Sequence, residues 1–299
     1  MSIRMPFRPA LLALISLLFA VAAAFPAATS ARAQADEARR IVAVGGAITE
    51  TLYALGVEDR IVAIDTTSVF PPQVAEKPDV GYMRALSAEG VLSQSPDLVL
   101  MEAGAGPPQA IALVKSSGVA VETMPDGWGV AAIAQKLEAI AAAVGKPEAG
   151  QVLAQGVEDD LSRLDGELST IGPKKRVLFI LSLVDGRPMA AGSDTAADAM
   201  IALAGGENVF AAAHGYKTVS AEAATQLAPD VVVMMTGAGP NHAAVDPFAI
   251  PALKATPAGQ AGALIRMDAA YLLGFGPRTA DAARDLAARL YPGAIEPAK

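Results

Sequence analysis

One 21-residue segment occurs twice in this chain, and no other feature limits its fold so tightly. Residues 87–107 read SAEGVLSQSPDLVLMEAGAGP and residues 220–240 read SAEAATQLAPDVVVMMTGAGP; they are identical at 11 of 21 positions, without a gap, at an offset of 133. Alanine bias explains a few such matches, but not Ser-Ala-Glu, Pro-Asp and Gly-Ala-Gly-Pro at fixed spacing. A second echo precedes each copy, Leu55-Gly56-Val57-Glu58-Asp59 against Ala204-Gly205-Gly206-Glu207-Asn208. Repeats of 20–50 residues indicate solenoids, whereas one repeat at this longer interval indicates two related lobes.

Each copy predicts the same local structure. Ser87 and Ser220 are helix N-cap types, and Glu89 and Glu222 fall in the first turn, where the helix dipole favours an acid. A short helix follows and ends at Pro96-Asp97 or Pro229-Asp230. Leu98–Met101 and Val231–Met235 are then continuous apolar runs, as in strands buried on both faces. Gly-Ala-Gly-Pro turns the chain at the strand's carboxyl end, the edge where open α/β sheets bind ligands.

The remaining pattern extends this α/β scheme. Strands are expected at Ile41–Val44, Ile61–Ile64 and Val119–Thr123 in the first lobe, and at Arg176–Leu183 and Ala263–Met267 in the second. Helices are expected at Thr49–Leu55, Gln109–Ser116, Val130–Val144, Thr195–Ala204 and Arg278–Leu290. Between the lobes, Val152, Val157, Leu161, Leu164 and Leu168 recur at helical spacing after Pro147, predicting one long helix to about Thr170 that Gly172-Pro173 ends. The expected organisation is a lobe at residues 34–146, a linking helix at 147–172 and a lobe at 173–299. Such a joint hinges less freely than two or three crossing strands, so a small opening angle is expected.

Residues 1–33 read as a leader. Arg4 and Arg8 precede an apolar run of 16 residues, Ala10 to Phe25, which is followed by Ala31-Arg32-Ala33 and Ala33-Gln34-Ala35. This is the layout of a secretory signal peptide cut after Ala33 or Ala35, and the run is shorter than the roughly 20 residues of a spanning helix. Cutting after Ala33 removes three arginines and no acids, taking the charge from −8 to −8 − 3 = −11. The mature protein is expected to be soluble and, in a bacterium with two membranes, periplasmic. Its acidity argues against nucleic acid as a partner. The absence of cysteine excludes disulfides, thiolate metal sites and a cysteine nucleophile, and two histidines are too few for a multi-histidine metal centre.

Specific residues carry a family resemblance. Gly45-Gly46-Ala47-Ile48-Thr49-Glu50, the two Ser-Ala-Glu helices, the Pro-Asp-strand units and Gly274-Phe275-Gly276-Pro277-Arg278-Thr279 resemble the substrate-binding proteins of ABC importers for vitamin B12, iron–siderophores and haem. Asp65-Thr66-Thr67-Ser68 with Pro71, and Gly81-Tyr82-Met83-Arg84-Ala85-Leu86-Ser87, resemble the haem-binding members. The resemblance implies two Rossmann-like α/β lobes with central sheets, joined by one long backbone helix, and a ligand cleft between them. It implies capture without chemistry of ferric haem b as the transported ligand, and delivery to the permease dimer of an inner-membrane ABC transporter. An outer-membrane or periplasmic haem donor is a further implied partner.

Within that resemblance, Tyr82 is expected to be the axial ligand of the haem iron. Ferric iron is a hard acid and a phenolate is a suitable anionic oxygen ligand. Free tyrosine loses its proton only near pH ~10, but coordination to iron beside a cation can hold the phenolate at neutral pH. Arg84, two residues on, is placed to meet the phenolate or a haem propionate. Glu89 and Glu222, one on each lobe, are expected to dock on arginines of the permease, in addition to their capping positions.

The second lobe is less specific. Gly186–Thr195 contains no histidine. His242, after the second Gly-Ala-Gly-Pro, reads either as a sixth ligand or propionate contact or as a solvated loop histidine. His214 precedes Gly215-Tyr216-Lys217, an echo of Gly81-Tyr82 that puts Tyr216 forward as a residue opposite Tyr82. Trp128, on a loop expected at the cleft, is placed either to stack on a porphyrin or to pack the core.

Other functions fit less well. Gly-Gly-Ala-Ile-Thr-Glu and Gly-Ala-Gly-Pro are neither a dinucleotide fingerprint nor a Walker loop, and no Gly-x-Ser-x-Gly elbow occurs, so a hydrolase or NAD enzyme is disfavoured. A periplasmic haem-handling enzyme is a weaker alternative. Cobalamin and ferric siderophores are the alternatives on the same fold. The chain is only 5% aromatic, which disfavours cobalamin, and Arg84, Arg187 and Lys217 are the few cations placed for an anionic siderophore.

Overall fold

The structure, a computed structural model, describes residues 39–184, 186–237 and 245–299. The proposed leader and His242 lie outside these residues. In chain order the first lobe contains β1 (Ile41–Val44), α1 (Gly46–Ala54), β2 (Ile61–Ile64), α2 (Ala88–Leu92), β3 (Leu98–Met101), α3 (Pro108–Ser116), β4 (Ala120–Thr123) and α4 (Val130–Ala143). The long α5 (Pro147–Leu168) follows. The second lobe contains β5 (Arg176–Val184), β6 (Arg187–Ala191), α6 (Ala196–Leu203), β7 (Glu207–Asn208), β8 (Tyr216–Thr218), α7 (Ala221–Leu227) and β9 (Val231–Thr236). It ends with α8 (Pro251–Lys254), α9 (Pro257–Ala261), β10 (Leu264–Asp268), α10 (Ala269–Leu273) and α11 (Thr279–Leu290). No helix of the described residues is long and apolar enough to cross a membrane.

The first sheet is wholly parallel in the order β2-β1-β3-β4. Its β1 and β3 are buried at every position, with helices on both faces, which is why they read as unbroken apolar runs. The second sheet is mixed, in the order β10-β9-β5-β6-β8, with β7 on β5. Here the sequence reading missed β6, β7 and β8, which are short and partly exposed. The two sheets nevertheless correspond: β3 pairs with β1 and β4, and β9 pairs with β5 and β10, all parallel. The position taken by β2 in the first lobe is divided in the second. There β7 pairs the start of β5 and β6 pairs its extended end.

The repeat is explained by a clamp that both lobes build in the same way. Asp97 Oδ2 accepts from the backbone N–H groups of Arg39 and Arg40, each at 3.1 Å, and Asp230 Oδ2 accepts from that of Arg176 at 3.0 Å. Each aspartate thus fixes where the neighbouring strand, β1 or β5, begins. The guanidiniums of Arg40 and Arg176 reach back to carbonyls at the end of the preceding helix, Gln94 and Ser95 in one lobe, Leu227 and Ala228 in the other. A cation suits a helix carboxyl end. Ser95 and Ala228, 133 residues apart, both take a left-handed backbone, with φ of 47° and 41°.

The lobes are joined by more than one helix. The α4 helix belongs to both cores: Ile140, Ala141 and Ala143 pack beneath the first sheet, whereas Ile133, Ala134 and Leu137 join the second lobe's core with Val157, Leu161 and Leu164 of α5. The joint is therefore the α4–α5 pair. Gly150 is required where these helices touch, because a Cβ there would lie 2.3 Å from Ala141 Cβ.

A second connection closes the joint. Arg278 of the second lobe donates from Nε and Nη2 to Glu50 of α1 at 2.8 and 2.6 Å. Glu50 is 8% exposed and the Arg278 side chain 24%. The adjoining Gly276 packs on Ala47, and the buried Lys136 of α4 donates to the Phe275 carbonyl at 3.5 Å.

Three outcomes are expected. Gly150→Ala overpacks α4 against α5 and lowers stability by about 1–3 kcal/mol, read by chemical denaturation. Gly156→Ala on the same helix, where a Cβ meets nothing within 4 Å, raises it by about 0.5–1 kcal/mol. Opening the lobes requires parting the buried Glu50–Arg278 pair, so solution scattering of ligand-free and ligand-bound protein should show no large compaction.

Candidate functional site

All four strands of the first sheet run parallel, so the loops that follow them share one edge. On this edge the chain from β2 to α2 carries Tyr82 and Arg84. The start of that loop is fixed by Asp65, which is fully buried and accepts from Gly45 N, Thr67 N, Thr67 Oγ1 and Ser68 Oγ at 2.8, 3.1, 2.8 and 2.9 Å. Ser68 Oγ lies 2.7 Å from Thr49 Oγ1 of α1. The Asp-Thr-Thr-Ser segment therefore supports the site from beneath.

The tyrosine loop is braced along its length. Gly81, at φ 95°, makes a turn that a side chain resists; its N–H donates to Asp79 Oδ1 at 2.6 Å and its carbonyl accepts from Thr66 N at 3.1 Å. Tyr82 starts a single 3-10 turn, Met83–Ala85. Met83 and Leu86 anchor this turn in the core beside α2 and α3. Gly106 N donates to the Met83 carbonyl at 2.9 Å, and Leu86 N to the Gly106 carbonyl at 2.8 Å. The first Gly-Ala-Gly-Pro thus holds the tyrosine loop as well as turning the chain. The Tyr82 side chain is 47% exposed, and among the described residues its hydroxyl has no hydrogen-bond partner. Arg84 is exposed and, among the same residues, has no ion-pair partner. Val69 and Phe70 are further exposed apolar side chains on the same connection.

Across the cleft stands Tyr216. Its ring is half-buried against the second lobe's core, and its hydroxyl lies beside the Thr195 hydroxyl and the Ala197 backbone N–H at the start of α6. Burial raises its phenol above the ordinary range; the Thr195 and Ala197 contacts and the Arg84 charge oppose this without overcoming it. Tyr216 is therefore a neutral phenol at physiological pH. Arg84 belongs to the first lobe, and its charge is felt at Tyr216 of the second.

Strand pairing decides which other second-lobe residues share that side. Tyr216 pairs with Ala191, Thr218 with Met189, and Val184 with Arg187. Side chains alternate along a strand, so Arg187 shares the sheet face of Tyr216. Lys217 pairs with Ala190 and points to the opposite face. This corrects the sequence reading that grouped Lys217 with Arg84 and Arg187.

Trp128 is half-buried and packs on the core shared by α4, α5 and the second sheet. His214 is exposed and lies 3.6 Å from Asp194. Glu102, just after β3, is half-buried beside α1 and accepts from Ala47 N at 3.3 Å. Burial holds its carboxyl above the ordinary carboxylate range, with Lys136 acting in the opposite sense.

Glu89 and Glu222 are both exposed in the first turns of α2 and α7. Ser87 and Ser220 cap these helices through the N–H groups of Gly90 and Ala223, so the glutamates are free of the capping role. Each helix precedes the strand it packs beside, which puts its amino end near the carboxyl edge of its sheet.

The sequence reading did not single out Phe70 or the partnership of Glu50 with Arg278. A signal for the latter was available: Glu50 lies in a helix whose residues 47–52 are all buried, and a buried acid needs a partner.

Known proteins share this architecture. Residues 41–271 match the periplasmic binding protein family. The chain is similar to the periplasmic heme-binding protein BhuT in complex with two hemes, with 41% identity and a TM-score of 0.78 over 84% of this chain and 97% of that one. It is similar to the periplasmic heme-binding protein RhuT from Roseiflexus sp. RS-1 in apo form, with 35% identity and a TM-score of 0.78 over 86% and 99%. It is 30% identical over 207 residues to the uncharacterized ABC transporter substrate-binding lipoprotein YvrC of Bacillus subtilis, covering 67% of this chain and 65% of that protein. The chain thus spans slightly less than two thirds of that relative's length. It is 26% identical over 201 residues to the vitamin B12-binding protein of Vibrio cholerae, covering 65% and 70%. By its two-lobe α/β fold and by the match over residues 41–271, the chain belongs to the periplasmic binding protein family, whose members bind substrates for transport.

Proposed function

We propose that this protein is exported with loss of its leader, captures ferric haem between its lobes and delivers it to the permease dimer of an inner-membrane ABC transporter. The observation that carries this reading is the state of Tyr82. Its hydroxyl is unpartnered and half-exposed, on a loop fixed by Gly81, Met83, Leu86 and Gly106. A preorganised oxygen without a hydrogen-bond partner is suited to an iron that needs one axial ligand. Arg84 supplies the cation beside it for a propionate, and Val69 and Phe70 supply apolar surface for a macrocycle. The similar structures described as heme-binding support the choice of ligand. The mature charge of −11 leaves the propionates to be met locally.

Tyr216 and Trp128 serve this reading as cleft walls. Tyr216 is held neutral by burial and contributes a hydroxyl or a ring face rather than a phenolate. His242, outside the described residues, is kept as a candidate sixth ligand or propionate contact. A second reading, cobalamin, is favoured by the vitamin B12-binding relatives alone.

Titration of the mature protein with ferric haem, followed by visible absorption, tests the proposal and gives the number of haems bound. A saturable high-spin tyrosinate spectrum is expected. Tyr82→Phe should abolish the charge-transfer band and weaken binding by roughly 100-fold, about 3 kcal/mol. An unchanged spectrum would refute the axial ligand, and saturable binding of cyanocobalamin without haem binding would favour the second reading.

Docking is proposed to use Glu89 and Glu222, which occupy equivalent exposed positions on the two lobes. Glu89→Lys with Glu222→Lys should leave the haem titration unchanged and reduce haem transport through the permease, most strongly at low salt. Normal transport by the double variant would remove the two glutamates from the docking surface.

A further inference from the structure

Phe70 has an arrangement that lobe packing alone does not explain. It sits on the first lobe between Asp65 and the tyrosine loop. The Arg278 guanidinium of the second lobe covers its ring, with 3.6 Å between Cζ and the ring centroid. Arg278 is in turn held by two hydrogen bonds to Glu50 and lies 5.0 Å from the Tyr271 ring centroid. Despite this cover, Phe70 remains 37% exposed, and its neighbour Val69 is 53% exposed. A ring whose role was only to seal the lobe junction would be buried. Here the side chain is clamped by the second lobe while part of its surface is left to solvent, on the connection that also carries Tyr82 and Arg84.

The charges divide the cations by task. Arg278 is neutralised by the bidentate Glu50, so it is poorly placed to attract an acidic group of a ligand. Arg84, which has no ion-pair partner among the described residues, keeps that task. What Arg278 supplies is orientation: a planar guanidinium stacked on an aromatic ring is attracted to the ring's π face and fixes the ring plane.

We propose that Phe70 is a stacking platform for the flat macrocycle of the ligand, and that Arg278, fixed by Glu50, is the residue that positions it. This rests on the haem reading above. Phe70 contributes to any planar tetrapyrrole, with or without iron, whereas Tyr82 contributes only when a metal is present. Ring-on-ring contact favours an offset stack, which requires the platform to be held at a fixed tilt.

The test compares ferric haem with iron-free protoporphyrin IX, on the wild type and on Phe70→Ala, Phe70→Leu, Arg278→Lys and the Phe70→Ala/Arg278→Lys double variant. Phe70→Ala should weaken both ligands by about tenfold while the tyrosinate band of the haem complex persists. Phe70→Leu, which keeps apolar bulk without a ring face, should show most of the same loss. Arg278→Lys keeps a charge for Glu50 but loses the planar stack, so it should weaken both ligands in the wild type and add much less to Phe70→Ala, where only the altered junction remains. Wild-type affinity in Phe70→Ala, or its full recovery in Phe70→Leu, with the tyrosinate band present, would overturn this inference and leave the haem reading standing. Equal effects of Arg278→Lys with and without Phe70 would overturn its positioning role. Failure of the wild type to bind either haem or protoporphyrin would overturn both readings.

Discussion

The ion pair between Glu50 and Arg278 sets the relation between the lobes. Taking two charges from water is costly, and the cost is repaid only by good geometry and full hydrogen bonding. The bidentate contact at 2.8 and 2.6 Å meets that condition. Removing Arg278 leaves Glu50 as a buried unpaired charge, typically at a cost of about 3–5 kcal/mol. Around this pair the chain assembles close contacts that would otherwise have no reason to form. Gly276 packs on Ala47, Lys136 reaches the Phe275 carbonyl, and Phe275 takes a left-handed backbone at φ 50°. The distance between the Tyr82 side of the cleft and the Tyr216 side is thereby a property of the joint, reinforced by the α4–α5 pair.

The fold was legible where the chain repeats a physical solution. Pro-Asp before an apolar run is legible because the aspartate must pin the neighbouring strand, and the strand is buried on both faces. Helix and strand ends were less legible. The first helix was expected from Thr49 and begins at Gly46, because Gly45-Gly46 has the composition of a loop while Asp65, 20 residues away, receives the Gly45 N–H. The strands β6 and β8 carry no strong alternation, and they exist because the extended end of β5 offers an edge to pair with. The α4 helix is alanine-rich and apolar around much of its circumference, which hid its division between two cores.

The site was legible in part. Tyr82 and Arg84 stand in a segment specific enough to be noticed, and the structure shows the brace that makes the segment rigid. Tyr216 was named as a residue opposite them, but which neighbours share its face was not legible, since that depends on pairing register: Tyr216 and Lys217 are adjacent in sequence and lie on opposite faces of one strand. Phe70 gave no signal, being a single aromatic residue in a loop whose meaning depends on an arginine more than 200 residues away. Trp128, the single tryptophan, was open between stacking on a ligand and packing the core, and it is half-buried with part of its surface on the core.

The two kinds of arginine contact also imply an order of assembly. The Arg40 and Arg176 clamps close loops of 55 and 51 residues, whereas Arg278 meets Glu50 across 228. Closing the longer loop costs about 1 kcal/mol more in chain entropy, and it gains nothing until both lobes present their surfaces. Each sheet can therefore assemble on its own clamp, and the Glu50–Arg278 contact forms last. A chain made only as far as Pro277 can already hold every described strand of both sheets and the tyrosine loop, but the cleft acquires its width only when Arg278 arrives.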